Sequence, residues 1–349
     1  MDVIWLNENP TISYPYSYRL RRNLNSWLIS FQTRLKTERV FGYPRHVIVD
    51  LINVCGLKCP ICPNGRGEIP RPPTRMTTDL FRRIMRTLGP YTYTLTLTNW
   101  GEPLNHPNLL DLLAIARKYP CYIGFSTNLQ HLPDDLLDGL ILSGLDEIGV
   151  SIDGATATTY NQYRVGGDFS LAMTHLRRLV DRRRELNSKK PKIRWQVLLN
   201  RFTENETTDI IDLAASTGVD SIMFIPILID ISRMFTHDPM DRLARDGQWL
   251  PETERFNAYD RRTGRLKGDP RFCPKLWDSV VIHPDGSMSP CCAVIDPKDD
   301  FGHFPHDNRF RSVWNGPSYR RARGRMAGRR KTPSGTVCEH CINHGVMIF

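Results

Sequence analysis

The chain has 349 residues, 40% of them hydrophobic and 24% charged, a composition typical of an enzyme with one large core. No apolar run reaches the roughly 18 residues of a membrane span, and the N-terminus lacks the basic region and cleavage site of a secretion signal. Nine cysteines without an export signal favour the reducing cytoplasm, and metal ligation over disulfides. We therefore expect a cytoplasmic protein with no membrane partner.

The net charge of +10 comes from 47 basic and 37 acidic residues, with arginine runs at 182–184 and 319–331. Such runs indicate either an anionic substrate, carrier or nucleic acid, or solvated helix faces, and we favour the helix faces. The sequence contains no aromatic-rich RNA motif and no zinc-finger spacing. A nucleic-acid partner is therefore the weaker alternative.

Residues 1–44 are rich in aromatic residues and arginine. Between residues 18 and 40, large apolar side chains recur at helical spacing, which predicts a helix whose apolar face packs against the main domain. A substrate-recognition role for this helix is the alternative. The side chains that form this pattern are Leu20, Leu24, Leu28, Phe31 and Leu35.

From residue 46 to residue 227, the pattern alternates between strands and helices. Strands are predicted at 46–54, 92–99, 122–128, 147–153, 193–200 and 221–227. Helices are predicted at 78–88, 107–118, 134–142, 170–187 and 204–217. Six such units with short connections predict an α/β fold, a partial (β/α)6 TIM-like barrel, whose chemistry lies at the carboxyl ends of the strands.

Three cysteines, Cys55, Cys59 and Cys62, follow the first strand within eight residues. An odd number of close thiols suits a soft metal centre better than a disulfide, and three thiolates on an iron–sulfur cube leave one iron open. A zinc knuckle with a fourth ligand from elsewhere is the alternative. The C-x3-C-x2-C spacing resembles that of the radical S-adenosylmethionine (radical SAM) enzymes. The resemblance implies a [4Fe–4S] cluster that binds S-adenosylmethionine (SAM).

The second strand runs into a loop that contains Asn99, Trp100, Gly101, Glu102 and Pro103. This loop resembles the glycine–glutamate–proline motif of the same family, with Trp100 where glycine is commoner. The resemblance implies that Glu102 and the backbone of residues 99–101 bind the amino group of SAM. An ordinary strand-to-helix turn is the alternative.

Polar residues also end the next three strands. Ser126 and Asn128 end the third strand, and the resemblance places them among the SAM contacts. It also implies that Ser151, at the end of the fourth strand, and Arg164 hold the SAM carboxylate, a planar anion that suits an arginine fork. Gln196 is a polar residue in an otherwise apolar fifth strand, which indicates a ribose or substrate contact.

Residues 228–272 have many charges and few apolar repeats, which predicts a long irregular connection. Its polar side chains just past the sixth strand are candidates for a substrate pocket, with ordinary loop polarity as the alternative. These candidates are Asp230, Arg233, His237 and Asp238.

A second cysteine set follows, and its first members flank a predicted hairpin with a Pro-Asp-Gly turn at 284–286. The set resembles the SPASM/twitch extension of radical SAM enzymes, a small C-terminal α+β domain. In the twitch form, four cysteines hold one auxiliary [4Fe–4S] cluster; a structural zinc site is the alternative. The implied ligands are Cys273, Cys291, Cys338 and Cys341, with Cys292 as a possible substitute for Cys291. Cys121 is predicted to be an inert buried thiol.

The resemblance divides the chain into four parts. They are an N-terminal helical extension (1–44), the radical SAM core barrel (45–227), a linker and substrate-loop region (228–272) and the auxiliary-cluster domain (273–349). The resemblance also implies reductive cleavage of SAM to a 5′-deoxyadenosyl radical, hydrogen abstraction from the substrate, and an electron donor such as flavodoxin or ferredoxin. The leading expectation is oxidation of a sugar, cyclitol or nucleoside-like small molecule, with epimerisation, dehydration or decarboxylation as neighbours. A peptide maturase is the first alternative, disfavoured because residues 1–44 are short for a leader-binding module. A non-catalytic, metal-stabilised nucleic-acid-binding protein is the second.

Overall fold

The computed structural model describes residues 3–5, 16–229, 238–267, 272–306 and 309–344. Three of the four candidate pocket residues after the sixth strand, Asp230, Arg233 and His237, lie outside these ranges. No helix in the described ranges is long and apolar enough to cross a bilayer.

The described chain alternates between strands and helices over most of its length. Its strands are β1 (Val3–Trp5), β2 (His46–Val49), β3 (Thr94–Thr96), β4 (Tyr122–Thr127), β5 (Glu147–Ser151), β6 (Lys192–Leu199), β7 (Ser221–Pro226), β8 (Ser279–Ile282), β9 (Ser287–Ser289) and β10 (Gly302–His303). Its helices are α1 (Tyr16–Arg34), α2 (Thr78–Leu88), α3 (Leu109–Ala116), α4 (Asp134–Leu142), α5 (Ala157–Tyr163), α6 (Phe169–Glu185), α7 (Thr207–Thr217), α8 (Pro239–Asp246), α9 (Lys275–Asp278), α10 (Phe310–Trp314), α11 (Pro317–Met326) and α12 (Cys338–His344).

All ten strands form one sheet, in the order β1-β7-β6-β5-β4-β3-β2-β8-β9-β10. Strands β2 to β7 are parallel, and each pairs with the next one along the chain. Because β2 pairs with β8 rather than with β7, the six parallel strands form an open barrel. The sheet confirms the predicted partial (β/α)6 barrel and places the ends of six strands at one rim.

The C-terminal hairpin forms as predicted, and it extends the barrel sheet. Strand β8 runs parallel to β2, and β9 returns antiparallel to β8. Gly286 has φ +87° at the turn, where Asp285 accepts a hydrogen bond from the Ser287 N–H at 2.9 Å. The barrel and the C-terminal segment that begins at residue 273 therefore share one continuous sheet.

The connection after β7 contains a helix that the sequence did not predict. Helix α8 begins after Asp238, whose carboxylate accepts a hydrogen bond from the Met240 N–H at 2.7 Å. Asp238 therefore caps a helix, as Asp commonly does, which gives the carboxylate a local structural role. Asp246 at the end of α8 is buried and forms a bidentate ion pair with Arg66 from the loop after Cys62.

Helix α1 forms as predicted, but its apolar face does not pack inward. Leu24 is 60% exposed and Trp27 is 67% exposed, whereas Asn25 and Gln32 are buried. The inward face consists of Asn25, Ile29 and Gln32: Ile29 is fully buried, and Asn25 and Gln32 bind the backbone of residues 41–43. The prediction that the leucine and phenylalanine face packs against the domain was wrong: Leu20, Leu24, Phe31 and Leu35 are all exposed.

This orientation makes a testable difference between two positions on α1. We expect Leu24→Gln to change the free energy of unfolding by no more than about 0.5 kcal/mol, because the side chain faces solvent. Ile29 is fully buried, so Ile29→Ala should cost about 2–5 kcal/mol. Denaturant unfolding of both variants measures the difference. An equal loss in the two variants would contradict the orientation.

Several arginines of the two runs form ion pairs within the protein. Arg182 binds Asp138 through two nitrogens, and Arg183 pairs with Asp220. In the second run Arg325 pairs with Glu339 and Arg330 pairs with Glu38. Because these guanidinium groups already face carboxylates, the runs provide poor support for a nucleic-acid surface.

Candidate active site and cysteine groups

A cavity of about 370 Å³ lies at the carboxyl ends of the parallel strands, a volume typical of small-ligand sites. Most of the residues singled out from the sequence line it. They are Cys55, Cys59, Cys62, Asn99, Gly101, Glu102, Ser126, Asn128, Ser151 and Arg164. The sheet therefore brings together residues that are more than 100 positions apart in the chain.

The loop with Cys55, Cys59 and Cys62 is held by neighbouring backbone. The Lys58 N–H donates to Val165 O at 2.8 Å, and the Cys62 N–H donates to Cys59 O at 3.2 Å. A Cβ atom at Gly65 would lie 2.5 Å from the backbone nitrogen of Cys59. Only glycine fits there without moving the cysteine loop.

The three thiols share one electrostatic environment. Burial raises the pKa of Cys59 to about 11, Arg164 opposes this rise, and the thiols of Cys62 and Cys55 add to it. Burial also raises the pKa of Cys55. The Asn128 amide, Nδ2, donates to Cys55 Sγ at 3.5 Å. Amide and guanidinium groups beside the thiols favour thiolates, the form that binds metal.

The donor set fits a cluster. Within the described ranges, no three His, Cys, Asp or Glu side chains come close enough to hold a single metal ion. A four-iron cube is larger than one ion and is held by sulfur ligands that are further apart. Three thiols around one cavity, with a cation beside them, suit such a group.

The loop after β3 is held by a buried carboxylate that the sequence analysis did not assign. Asp50 accepts hydrogen bonds from the N–H groups of Asn99 at 3.1 Å and Trp100 at 3.3 Å. Burial raises the pKa of Asp50 to about 7, and these backbone donors oppose the rise. A Cβ atom at Gly101 would lie 1.8 Å from Ile52 O. The close approach of the two loops therefore requires glycine at position 101.

Glu102 is fully buried, and its carboxylate has several donors. It accepts hydrogen bonds from Thr127 Oγ1 at 2.7 Å, from the Asn128 N–H at 2.7 Å and from the Leu104 N–H at 3.1 Å. Burial raises its pKa, and these donors and the charge of Arg164 lower it. The carboxylate thus joins the ends of β3 and β4 at the cavity wall.

Arg164 follows helix α5 and points its guanidinium towards Asp153. Its Nε donates to Asp153 Oδ2 at 2.6 Å, and Asp153 Oδ1 accepts from the Leu198 N–H at 2.7 Å. Burial opposes the charge of Arg164, but Asp153 and Cys59 hold its pKa well above the usual value. Since only Nε is used in this pair, the rest of the fork can bind an anion in the cavity.

Gln196 does not line the cavity itself, but it contacts Ser126, which does. Its Oε1 accepts a hydrogen bond from Ser126 Oγ at 2.9 Å, and a Cβ atom at Gly149 would lie 2.6 Å from its Nε2. Ser126 lines the cavity and Gln196 does not. The structure therefore places Gln196 behind Ser126.

One wall of the cavity is apolar. It comes from the ends of β6 and β7 and from the residues after β7. Its members are Leu198, Ile225, Pro226, Ile227 and Leu228. Tyr163 and the apolar residues of the cysteine loop pack beside this wall.

A second cysteine group, which we name the C-terminal cysteine group, consists of Cys273, Cys291, Cys338 and Cys341. Burial raises the pKa of Cys338 well above its usual value, and the other three thiols raise it further. Burial also raises the pKa of Cys291, with contributions from Cys292 and Cys341. The structure thus gathers thiols from the start of α9, the end of the hairpin and α12.

Sequence reasoning assigned no role to three residues that shape the site. They are Asp50, Asp153 and Asn64, whose amide donates to Trp100 O at 2.7 Å and to Asn53 O at 3.0 Å. Both aspartates follow apolar strand residues, an unusual place for a charge. That placement was the available signal for Asp50 and Asp153.

Two family models match the chain. Residues 49–189 match the radical SAM superfamily. Residues 273–342 match SPASM, an iron–sulfur cluster-binding domain. The first match covers the strands and loops around the cavity, and the second covers the C-terminal cysteine group.

Two of the curated relatives each align with about half of the chain. A PqqA peptide cyclase from Rhodopseudomonas palustris is 28% identical over 184 residues, which are 52% of this chain and 46% of the relative. A tungsten-containing aldehyde ferredoxin oxidoreductase cofactor-modifying protein from Pyrococcus furiosus is 24% identical over 187 residues, 53% of this chain and 52% of the relative. The alignments thus span about half the length of these relatives.

The fold extends further than these alignments. The crystal structure of Streptococcus suis SuiB bound to its precursor peptide SuiA has a TM-score of 0.61 and is 13% identical. The match covers 98% of this chain and 80% of that chain. At this identity the likeness is one of fold.

Proposed function

Because this chain belongs to the radical SAM superfamily and carries a C-terminal SPASM domain, we propose that it is an enzyme that modifies a peptide. This proposal replaces the small-molecule alcohol that the sequence favoured. The observation that carries it is the apolar wall of the cavity, together with relatives that act on peptides.

The two domains imply a SAM-binding [4Fe–4S] cluster, an auxiliary iron–sulfur centre and SAM itself. When bound, these groups supply a reductively generated 5′-deoxyadenosyl radical that abstracts hydrogen from a substrate. The protein's own residues bind, orient and enclose them. The electron donor is proposed to be a flavodoxin or a ferredoxin.

We assign Cys55, Cys59 and Cys62 as the ligands of the SAM-binding cluster. Three thiolates on a four-iron cube leave one iron free for SAM, and Asn128 at 3.5 Å from Cys55 Sγ supports the thiolate charge. The C-terminal cysteine group would hold one auxiliary cluster. Cys291 is preferred to Cys292 because its thiol acts on that of Cys338 and is itself affected by those of Cys341 and Cys273, whereas Cys292 is affected by Lys275 and Cys273.

SAM would lie across the strand ends. Arg164 and Ser151 would bind its carboxylate, and the loop at residues 99–101 with Glu102 would bind its amino group. Ser126 and Asn128 line the same cavity and would contact the remainder. Gln196 would act through Ser126, which accounts for a polar residue in an apolar strand.

The apolar wall favours a peptide over a polyol. A sugar or cyclitol carries hydroxyl groups around its ring, and each one buried without a partner costs about 1–3 kcal/mol. The residues of β6 and β7 that line the cavity, Leu198, Ile225 and Pro226, have side chains without polar atoms. An aliphatic or aromatic side chain of a peptide would bury its apolar surface there at no such cost.

The proposal is tested by following the abstracted hydrogen. Reconstituted enzyme is incubated with SAM, reductant and either short peptides encoded beside its gene or a panel of sugars, cyclitols and nucleosides, each deuterated. We expect deuterium in 5′-deoxyadenosine and a mass change only with a peptide. Deuterium transfer from a polyol, and from none of the peptides, would overturn the peptide assignment. It would favour instead the oxidation of a sugar, cyclitol or nucleoside-like small molecule.

The carboxylate assignment makes its own prediction. We expect Arg164→Ala to weaken SAM binding by at least tenfold without loss of iron, because a charge-assisted fork is lost. The change also leaves buried Asp153 unpaired, which costs stability. Arg164→Ala/Asp153→Asn is therefore the matched variant, since it removes both charges. Unchanged SAM affinity in a folded double variant would mean that the carboxylate is bound elsewhere.

A further inference from the structure

Besides the Nε of half-buried Arg320, two donors on fully buried side chains of helix α11 have no hydrogen-bond partner among the described residues. They are the hydroxyl of Tyr319 and the Nη2 of Arg323, and both side chains are 0% exposed. Such orphaned donors are uncommon in folded proteins because each costs about 1–3 kcal/mol. They therefore indicate a group that accepts hydrogen bonds at this place.

Arg323 is buried without a carboxylate at ion-pair distance in the described ranges. Its Nε donates to Leu276 O at 2.8 Å and its Nη1 to Trp314 O at 2.8 Å. Its guanidinium carbon lies 4.4 Å from the centre of the Trp314 ring and 5.0 Å from that of Tyr319. Carbonyls and rings orient the cation, but they do not neutralise it, and an uncompensated buried charge is costly.

Tyr319 lies on the side of α11 that is near the C-terminal cysteine group, and Arg323 lies one turn further along the helix, against the Tyr319 ring. Tyr319 belongs to the same buried cluster as Cys338, against which Cys273, Cys291 and Cys341 pack. Burial raises the pKa of Tyr319, the charge of Arg323 opposes this rise, and the thiols of Cys338 and Cys291 add to it. Helix α11 also packs on α12, which carries Cys338 and Cys341, and on α9, which follows Cys273.

The auxiliary cluster assigned to this group would be an anion. Four thiolates outweigh the charge of the iron–sulfide core, and reduction adds one further negative charge. Hydrogen bonds to cluster sulfurs and nearby cations favour the reduced, more negative form, so they raise the reduction potential. The orphaned donors and the unpaired cation are what such a cluster requires.

We propose that the Tyr319 hydroxyl donates a hydrogen bond to a sulfur of the auxiliary cluster, and that Arg323 supplies its counter-charge. Together they hold the reduction potential of this cluster above the value that four buried thiolates alone would give. The inference rests on the proposed cluster assignment, and it is independent of whether the substrate is a peptide.

Tyr319→Phe tests the hydrogen bond, because it removes one oxygen and keeps the ring that packs against Phe301 and Trp314. The anaerobically reconstituted holoenzyme is titrated electrochemically, and both reduced clusters are followed by EPR. We expect the auxiliary potential to fall, with no change at the Cys55, Cys59 and Cys62 cluster and no loss of iron. Tyr122→Phe is the matched control, since its hydroxyl already donates to Glu147 at 2.9 Å, and it should move neither potential.

Arg323→Met and Arg323→Lys test the charge. We expect Arg323→Met to lower the auxiliary potential, with Arg323→Lys between this variant and the unmodified protein. An unchanged or higher potential in Tyr319→Phe would overturn the inference, even if Arg323→Met does not fold. Zinc or no metal at the C-terminal group would overturn it together with the cluster assignment. If the enzyme modifies no peptide, the proposed function fails, but the inference about the auxiliary cluster is unaffected.

Discussion

Replacing Cys55, Cys59 and Cys62 together with alanine is expected to remove about half of the iron and all SAM cleavage. Two four-iron clusters give about eight iron and eight sulfide per chain, and the triple variant should retain about four of each. The remaining iron would be held by the C-terminal cysteine group, whose members lie before α9, after β9 and on α12. Iron and sulfide analysis with a 5′-deoxyadenosine assay measures both effects.

Cys121→Ala is the matched control for the triple variant. Cys121 is a buried cysteine, as Cys59 is, but it precedes β4 and does not line the cavity. We expect it to keep all the iron and full SAM cleavage. Loss of all iron from the triple variant, or zinc in place of the remaining four iron atoms, would contradict the assignment of two separate clusters.

Gly101→Ala is expected to abolish SAM binding. The added Cβ would lie 1.8 Å from Ile52 O, far inside van der Waals contact, so the loop at residues 99–102 must move. The hydrogen bonds from this loop to Asp50 would then be disturbed. We expect SAM affinity to fall at least a hundredfold and the free energy of unfolding to fall by about 1–3 kcal/mol.

Gly56→Ala separates this effect from a general loss of glycine. Gly56 lies in the cysteine loop itself, and a Cβ atom there would meet nothing within 4 Å. This variant should bind SAM and iron as the unmodified protein does. Equal SAM affinity in the two variants, measured by isothermal titration of the reconstituted protein, would refute the close approach of the two loops.

The strands could be predicted from the sequence because each one is a short apolar, β-branched run bounded by polar residues. All six predicted barrel strands formed, and β6, predicted at 193–200, spans Lys192–Leu199. The first two were predicted too long: 46–54 formed only as His46–Val49, and 92–99 only as Thr94–Thr96. Parallel order then placed their polar ends on one rim. The cavity residues followed from this order and from the family motifs.

The buried acids could not be assigned from the sequence. The role of Asp50 depends on the backbone of a loop 49 residues away, and that of Asp153 depends on Arg164 and on the Leu198 N–H. A carboxylate after a strand is compatible with a ligand, a cap or a backbone anchor. Only the packing of the loops decides among these.

Helix α1 was predicted in position but not in orientation. An apolar stripe at helical spacing usually faces the core. Here the inward side chains Asn25 and Gln32 form hydrogen bonds with backbone groups of residues 41–43. The spacing of apolar side chains gives no information about such bonds. Short helices were also missed: α5, which ends just before Arg164, and α8 have seven and eight residues, too few for a clear periodic pattern.

One measurement tests the central claim that the cavity holds SAM beside a cluster with an open iron. The anaerobically reconstituted, reduced protein is examined by EPR before and after SAM is added. Two cluster signals are predicted, and SAM should change only the one that the Cys55, Cys59 and Cys62 triple variant lacks. A spectrum that SAM does not alter, with both clusters present, would contradict the account.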